Sequence, residues 1–135
     1  MRIWHKDLIP VLPRQQMLGQ WRECCLIAHC IVENGTPNHL IVNRVMHFPM
    51  EHFATYCRLV YMEMIKRGFK PDWNKLDAYF VNLPEVEYDE LFLGWHNNRY
   101  LRQCYSNLQE KFDCGGIPVR EWAAICYALK GVDLK

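Results

Sequence analysis

The sequence predicts an all-α fold: a compact irregular bundle of three main helices plus a short C-terminal helix, forming one domain over residues 1–135. Three observations predict it. Apolar residues recur at helical spacing in four separate stretches. Strand-like alternation is scarce, and no Asn-Gly turn joins two alternating runs. Three of the four stretches open on a proline, and each closes on glycine, the residues that favour helix starts and stops. At 135 residues, half of them hydrophobic, the chain is long enough to bury one core.

The first helix is expected from Pro13 to Glu33. Pro13 suits the first turn, where its missing N–H costs nothing. Leu18, Trp21, Cys25 and Val32 follow one face, and Ile27, Cys30 and Ile31 lie on others, so this helix is expected to be enclosed on several sides before Asn34-Gly35 ends it. Between Thr36 and Phe48, His39 to Val45 fits either a short helix or an extended segment, because so short a run has no decisive period. The second helix runs from Pro49 to Gly68 with a core stripe of Phe53, Cys57, Val60 and Met64. Lys66 and Arg67 sit in its last turn, where they complement the dipole, and Pro71 prevents continuation. Residues 70–94 read as a long acidic connection pinned to the core by Trp73, Tyr79 and Phe80. The third helix covers Trp95 to Phe112, with Leu101, Cys104, Leu108 and Phe112 on one face, and Cys114-Gly115-Gly116 breaks it. A fourth, short helix starts at Pro118 and stops at Gly131.

Composition narrows the function. The first 30 residues hold no uninterrupted apolar run like that of a signal peptide, and no stretch approaches the roughly 20 apolar residues of a membrane helix. Seven cysteines, an odd number set mostly in apolar helical patterns, read as reduced thiols of a cytoplasmic protein. The net charge is only +1, but it is polarised. Residues 1–22 carry Arg2, Lys6, Arg14 and Arg22 against Asp7, whereas residues 72–90 carry six acidic groups against Lys75. Cys25 and His29 lie one helical turn apart, which keeps a zinc-stabilised helical domain as a minor reading. No CxxC pair supports it, and the expectation is that no metal is bound.

Two features suggest chemistry. Arg22 and Glu23 are adjacent charges in a mostly apolar helix and point about 100° apart. Glu23 shares its side with Gln16, Gly19, Ile27 and Cys30. A glycine in mid-helix costs about 1 kcal/mol relative to alanine, and Gly19 leaves a shallow gap over the glutamate for another segment or a ligand. A carboxylate in partly apolar surroundings suits proton transfer near neutral pH. The alternative is a structural glutamate bonded to a neighbouring loop. The second feature is the amino terminus, anchored by the large apolar Ile3 and Trp4. An α-amine, with an ordinary pKa of about 7.7–8.0, is free near neutral pH to a far greater extent than a lysine, and this suits imine formation at a sugar carbon. On the third helix, Asn98, Arg99, Arg102 and Tyr105 form a polar side that fits a DNA backbone as well as it fits solvent.

The run Gln15-Gln16-Met17-Leu18-Gly19-Gln20-Trp21-Arg22-Glu23, together with the Arg2-Ile3 start, resembles the pyrimidine-dimer DNA glycosylases, the phage-type family of helical repair enzymes. Met62 to Phe69, with its Lys-Arg-Gly-aromatic close, and His96 to Lys111 are weaker echoes of the same family. The resemblance implies a DNA glycosylase with AP-lyase activity on damaged double-stranded DNA, with no cofactor. In it the α-amine of Met1 is the nucleophile, Glu23 the acid/base, and Arg2 and Arg22 hold phosphates. Gln16, which stands where the family has a histidine, and Arg99 and Arg102 complete the DNA-binding set. Leu26 replaces a family arginine, and Arg2 implies that Met1 is retained, since an initiator methionine is removed only before small residues. A monomer is expected. The alternative is a non-catalytic helical module that binds nucleic acid or protein on the same scaffold.

Overall fold

The computed structural model describes residues 1–134, which are helical and turn structure without a strand. A 3-10 helix at Lys6–Val11 leads into α1 (Arg14–Asn34). A second 3-10 helix, Val42–His47, precedes α2 (Met50–Lys66). The one-turn helix α3 (Asn74–Asp77) and a 3-10 turn at Tyr88–Glu90 interrupt the connection to α4 (Asn98–Asp113), and α5 (Val119–Ala128) closes the chain. The four long helices lie within three residues of their predicted ends. Pro13, Pro49 and Pro118 each sit one residue earlier than a first-turn proline, at the N-cap, with ψ near 150°. The chain thus enters each helix through a residue already locked at a helical φ. No described helix is long and apolar enough to cross a membrane.

α1 packs against α2, and the first 3-10 helix bridges α2 and α5. The α2 stripe of Phe53, Cys57, Val60 and Met64 is buried as expected, as are Leu101, Cys104 and Leu108 of α4. Phe112 is half-buried and stacks on Trp122 at 5.1 Å. In the acidic connection Phe80 is buried edge-on against Phe53, with Trp73 and Tyr79 half-buried beside the core. Of the two forms open to residues 36–48, the structure takes the short helix, as a 3-10 helix at Val42–His47, rather than an extended segment. The 3-10 helix there turns Val42 and Val45 inward.

One expectation changes and another is extended. The buried face of α1 comprises Met17, Gln20, Trp21, Cys24, Ile27 and Ala28, whereas Leu18 and Cys25 are half-buried and Val32 is exposed. The face is rotated because a polar residue, Gln20, is buried on it and hydrogen-bonded, which an apolar count does not register. Arg67 does more than complement the dipole of its own helix. Its guanidinium donates to the carbonyls of Leu12 at 2.7 Å, Pro10 at 3.1 Å and Ile9 at 3.3 Å, and pairs with Glu63 at 3.2 Å. The carbonyls at the end of the 3-10 helix attract the nearest fork of N–H donors.

Candidate active site

The amino terminus is held by side chains from α1, α2 and α4 and from the turn that leads into α4. Trp4 N–H donates to Gln20 Oε1 at 2.8 Å, and Gln20 Nε2 donates to the Arg2 carbonyl at 2.9 Å. The Tyr56 hydroxyl donates to the Trp4 carbonyl at 2.6 Å, and the Tyr100 hydroxyl to the Ile3 carbonyl. Lys6 N–H donates to His96 Nδ1 at 2.9 Å. Ile3 and Trp4 are buried among these partners. A segment without regular structure can be buried only if its backbone polar groups find partners, and here four side chains supply them. Burial pushes the hydroxyl pKa of both Tyr56 and Tyr100 upward, so both remain neutral donors. Burial, and then repulsion between a protonated ring and His5 and Lys6, pushes His96 down to about 2, so its ring stays an uncharged acceptor.

The consequence is positional. The Met1 α-amino nitrogen lies 3.7 Å from Glu23 Oε1, with Met1 14% and Glu23 30% exposed at the side chain. The other carboxylate oxygen, Oε2, is buried and has no hydrogen-bond partner among the described residues, and the same is true of Gln16 Oε1 on the same side of α1. Gly19 does leave space, but the exposed Arg22 occupies its edge. The Arg22 Nη2 atom lies 3.8 Å from where a Gly19 Cβ would stand, so the side chain folds back along the helix.

Next to the amine is a cavity of about 490 Å³, lined by Met1, Arg2, His39, Arg44, Arg99 and Tyr100 among others, with no carboxylate in its wall. A second hollow of about 310 Å³ shares Arg44 and Arg99 and adds His47 and Trp95. Arg2 also lies over the Trp4 ring at 4.5 Å. Three arginines beside one amine make a local positive field that a net charge of +1 conceals. Of the residues singled out in the sequence, the fold brings Met1, Arg2 and Arg99 to one cavity and sets Met1 beside Glu23; neither Glu23 nor Arg22 lines that cavity. Gln16 and the half-buried Arg102 do not line the cavity.

Arg44 and His39 were not anticipated, nor was the Gln20, Tyr56, Tyr100 and His96 clamp. The one signal in the sequence was Gln20 itself, a polar residue flanked by core positions. Lys6, the other amine near the start, is buried with Nζ donating to the Tyr88 carbonyl and lying 4.5 Å from the Tyr88 ring centre. It faces a different cavity, lined by Ile9, Leu59 and Tyr88 among others. No three His, Cys, Asp or Glu side chains cluster as metal ligands among the described residues. His29 Nδ1 instead lies 3.3 Å from the Tyr79 hydroxyl, and burial pushes the Cys25 thiol up to about 11, which disfavours the thiolate a metal needs.

Residues 1–77, more than half of the chain, match the family described as pyrimidine dimer DNA glycosylase. The matched span contains Met1, Arg2, Gln16, Arg22, Glu23 and Arg44, together with Gln20 and Tyr56 of the clamp; Arg99 and Tyr100 lie beyond it. No curated protein and no solved structure matches the chain.

Proposed function

The chain belongs to the pyrimidine dimer DNA glycosylase family, which implies DNA glycosylase activity with DNA as the substrate, and from that premise we propose a glycosylase with AP-lyase activity on double-stranded DNA carrying pyrimidine dimers or related damage. The observation that carries the reading is the 3.7 Å approach of the Met1 amine to the Glu23 carboxylate, beside a cavity walled by arginines. In this mechanism Glu23 takes a proton from the ammonium, which frees its lone pair. The amine attacks the deoxyribose C1′, the glycosidic C–N bond breaks with its electrons going to the base, the base takes a proton from the attacking nitrogen, and Glu23 returns its own proton to O4′ as the ring opens to a protonated imine between the α-nitrogen and C1′. Loss of a C2′ proton to Glu23 then expels the 3′ phosphate by β-elimination, which breaks the C3′–O bond. A carboxylate that gives and takes protons in successive steps needs an oxygen not committed to a structural hydrogen bond, and Oε2 meets that condition among the described residues. Arg2, Arg22 and Arg99 hold backbone phosphates, and Gln16 contributes an amide on the glutamate's side of α1. Chemistry on a base in a duplex requires a nucleotide to leave the stack, which a lesion makes less costly. The protein acts as a monomer and without a cofactor in this scheme.

The test is incubation with DNA containing an abasic site in the presence of borohydride. A protein–DNA adduct that maps to Met1 is the expected result. Intact DNA and no adduct would instead favour the non-catalytic binding module.

A further inference from the structure

We propose that Leu40, backed by Ile41, is an apolar wedge that enters the base stack of the duplex beside the damaged nucleotide. The proposal rests on the reading of this face as the DNA-binding site and names how that site opens the helix. Leu40 is 91% exposed and Ile41 51% exposed, two adjacent aliphatic side chains at the tip of the turn between α1 and the second 3-10 helix. Single exposed apolar residues are ordinary. This pair differs in its placement and in its support.

The placement is the rim of the arginine-walled cavity. His39 and Ile41, on either side of Leu40, line the same cavity as Met1, Arg2, Arg44 and Arg99. A duplex that seats its phosphates on these arginines brings its grooves against the Leu40 tip. The charge complementarity selects a polyanion as the occupant of this rim. Aliphatic wedges set among phosphate contacts are a recurrent means of prising a base step apart, with the unstacking cost offset by the contacts around it.

The support is a turn tied together by hydrogen bonds. Asn43 Oδ1 accepts from the Thr36 hydroxyl at 3.0 Å and from His39 N–H at 3.1 Å, and Asn43 N–H donates to the His39 carbonyl at 2.8 Å. Val42 N–H donates to His39 Nδ1 at 3.3 Å, and Val42 and Val45 anchor the next turn in the core. The tip is thus preorganised, so little conformational entropy is lost when Leu40 enters a stack.

The experiment uses the full chain and a duplex with 2-aminopurine beside a tetrahydrofuran abasic analogue, which the protein cannot cleave. Fluorescence reports unstacking, and polarisation of a labelled strand reports binding. The native protein should raise the 2-aminopurine signal on binding. Leu40→Ala should bind yet lose most of that rise, and Leu40→Phe should restore it. An equal rise with Leu40→Ala, or no rise with the native protein at saturation, overturns the wedge. So does a native dimer in sedimentation that Leu40→Ala dissociates, because a second copy would then cover the tip. Borohydride trapping on a true abasic site judges the catalytic reading separately. Native protein that unstacks DNA but forms no adduct keeps the wedge and removes the lyase. Where both hold, Leu40→Ala should trap about tenfold more slowly on duplex DNA, with the deficit shrinking on single-stranded DNA, where there is no stack to open.

Discussion

Replacing Gln20 with methionine tests whether the clamp on the amino terminus is what places the amine. The two side chains are similar in size and helix propensity, so α1 itself should persist. What disappears is the acceptor for Trp4 N–H at 2.8 Å and the donor to the Arg2 carbonyl at 2.9 Å; the Tyr56 hydroxyl also loses its 3.1 Å contact with Gln20 but keeps the Trp4 carbonyl. Trp4 is buried, so its stranded N–H costs about 1–3 kcal/mol. The Arg2 carbonyl is less enclosed and loses a bond worth about 1 kcal/mol. The expected destabilisation is about 2–4 kcal/mol in urea unfolding, with an unchanged m-value. If residues 1–4 instead peel away locally, the global loss is smaller and the cost appears in function. Either way the Met1 amine leaves its position by Glu23, and trapping on abasic DNA should fall by at least about tenfold, since a 1 Å misplacement of a reacting group has effects of that order or more. DNA affinity should fall less than trapping, because Arg2 moves with the amine whereas Arg44 and Arg99 stay on the rim. Gln20→Met protein that is as stable as the native and traps at the native rate would refute the reasoning.

Four further outcomes are expected. Glu23→Gln should keep the fold and DNA binding but lose strand cleavage, because it removes the ionisable group and almost no volume; cleavage of abasic DNA at the native rate would discard the acid/base assignment. Acetylating the α-amine, or leaving a tag on it, should abolish the trapped adduct; an adduct that maps to Lys6 by mass spectrometry would move the nucleophile. Arg44→Ala should weaken binding across DNA sequences and lower the slope of log affinity against log salt by about 1, measured by fluorescence titration, as expected for one lost phosphate contact. Stability should fall with pH on the acid side. His96 is held at about 2 when folded, so below its ordinary value of 6.5 the unfolded chain binds a proton that the folded chain refuses. The contribution of His96 is therefore complete above pH 6.5 and declines by about 1.4 kcal/mol per unit as pH falls from there toward 2. His5 is also lowered, by burial, and adds to the slope. Urea unfolding at pH 7.5 and 5.0 should show a smaller loss for His96→Asn, whose side-chain oxygen can still accept from Lys6 N–H.

The legible part of this protein was the part written in local pattern. The α2 stripe and the ends of all four long helices followed from apolar spacing and from prolines and glycines, because a helix is decided largely within a few residues of itself. Family membership was likewise legible, since the run Gln15 to Glu23 and the Arg2-Ile3 start carry the resemblance and both lie within the matched residues 1–77. Other features lay outside such patterns. The buried face of α1 was misjudged because Gln20 is polar, and its burial depends on Arg2 and Trp4, 16 to 18 positions away. Arg67 looked like an ordinary end-of-helix charge because its carbonyl partners lie more than 50 positions earlier.

By itself, then, the sequence determined a helical domain, where its main helices begin and end, and which glutamate and which amine were worth bringing together. Only the tertiary structure decided that they meet. Tyr56 and Tyr100 fasten the first residues from 52 and 97 positions away, and Arg44 and Arg99 converge on one cavity from different helices. The physical reason is range. Helix formation is satisfied by neighbours in the chain, whereas a buried backbone amide, a shared cavity and a local electric field are satisfied only by neighbours in space.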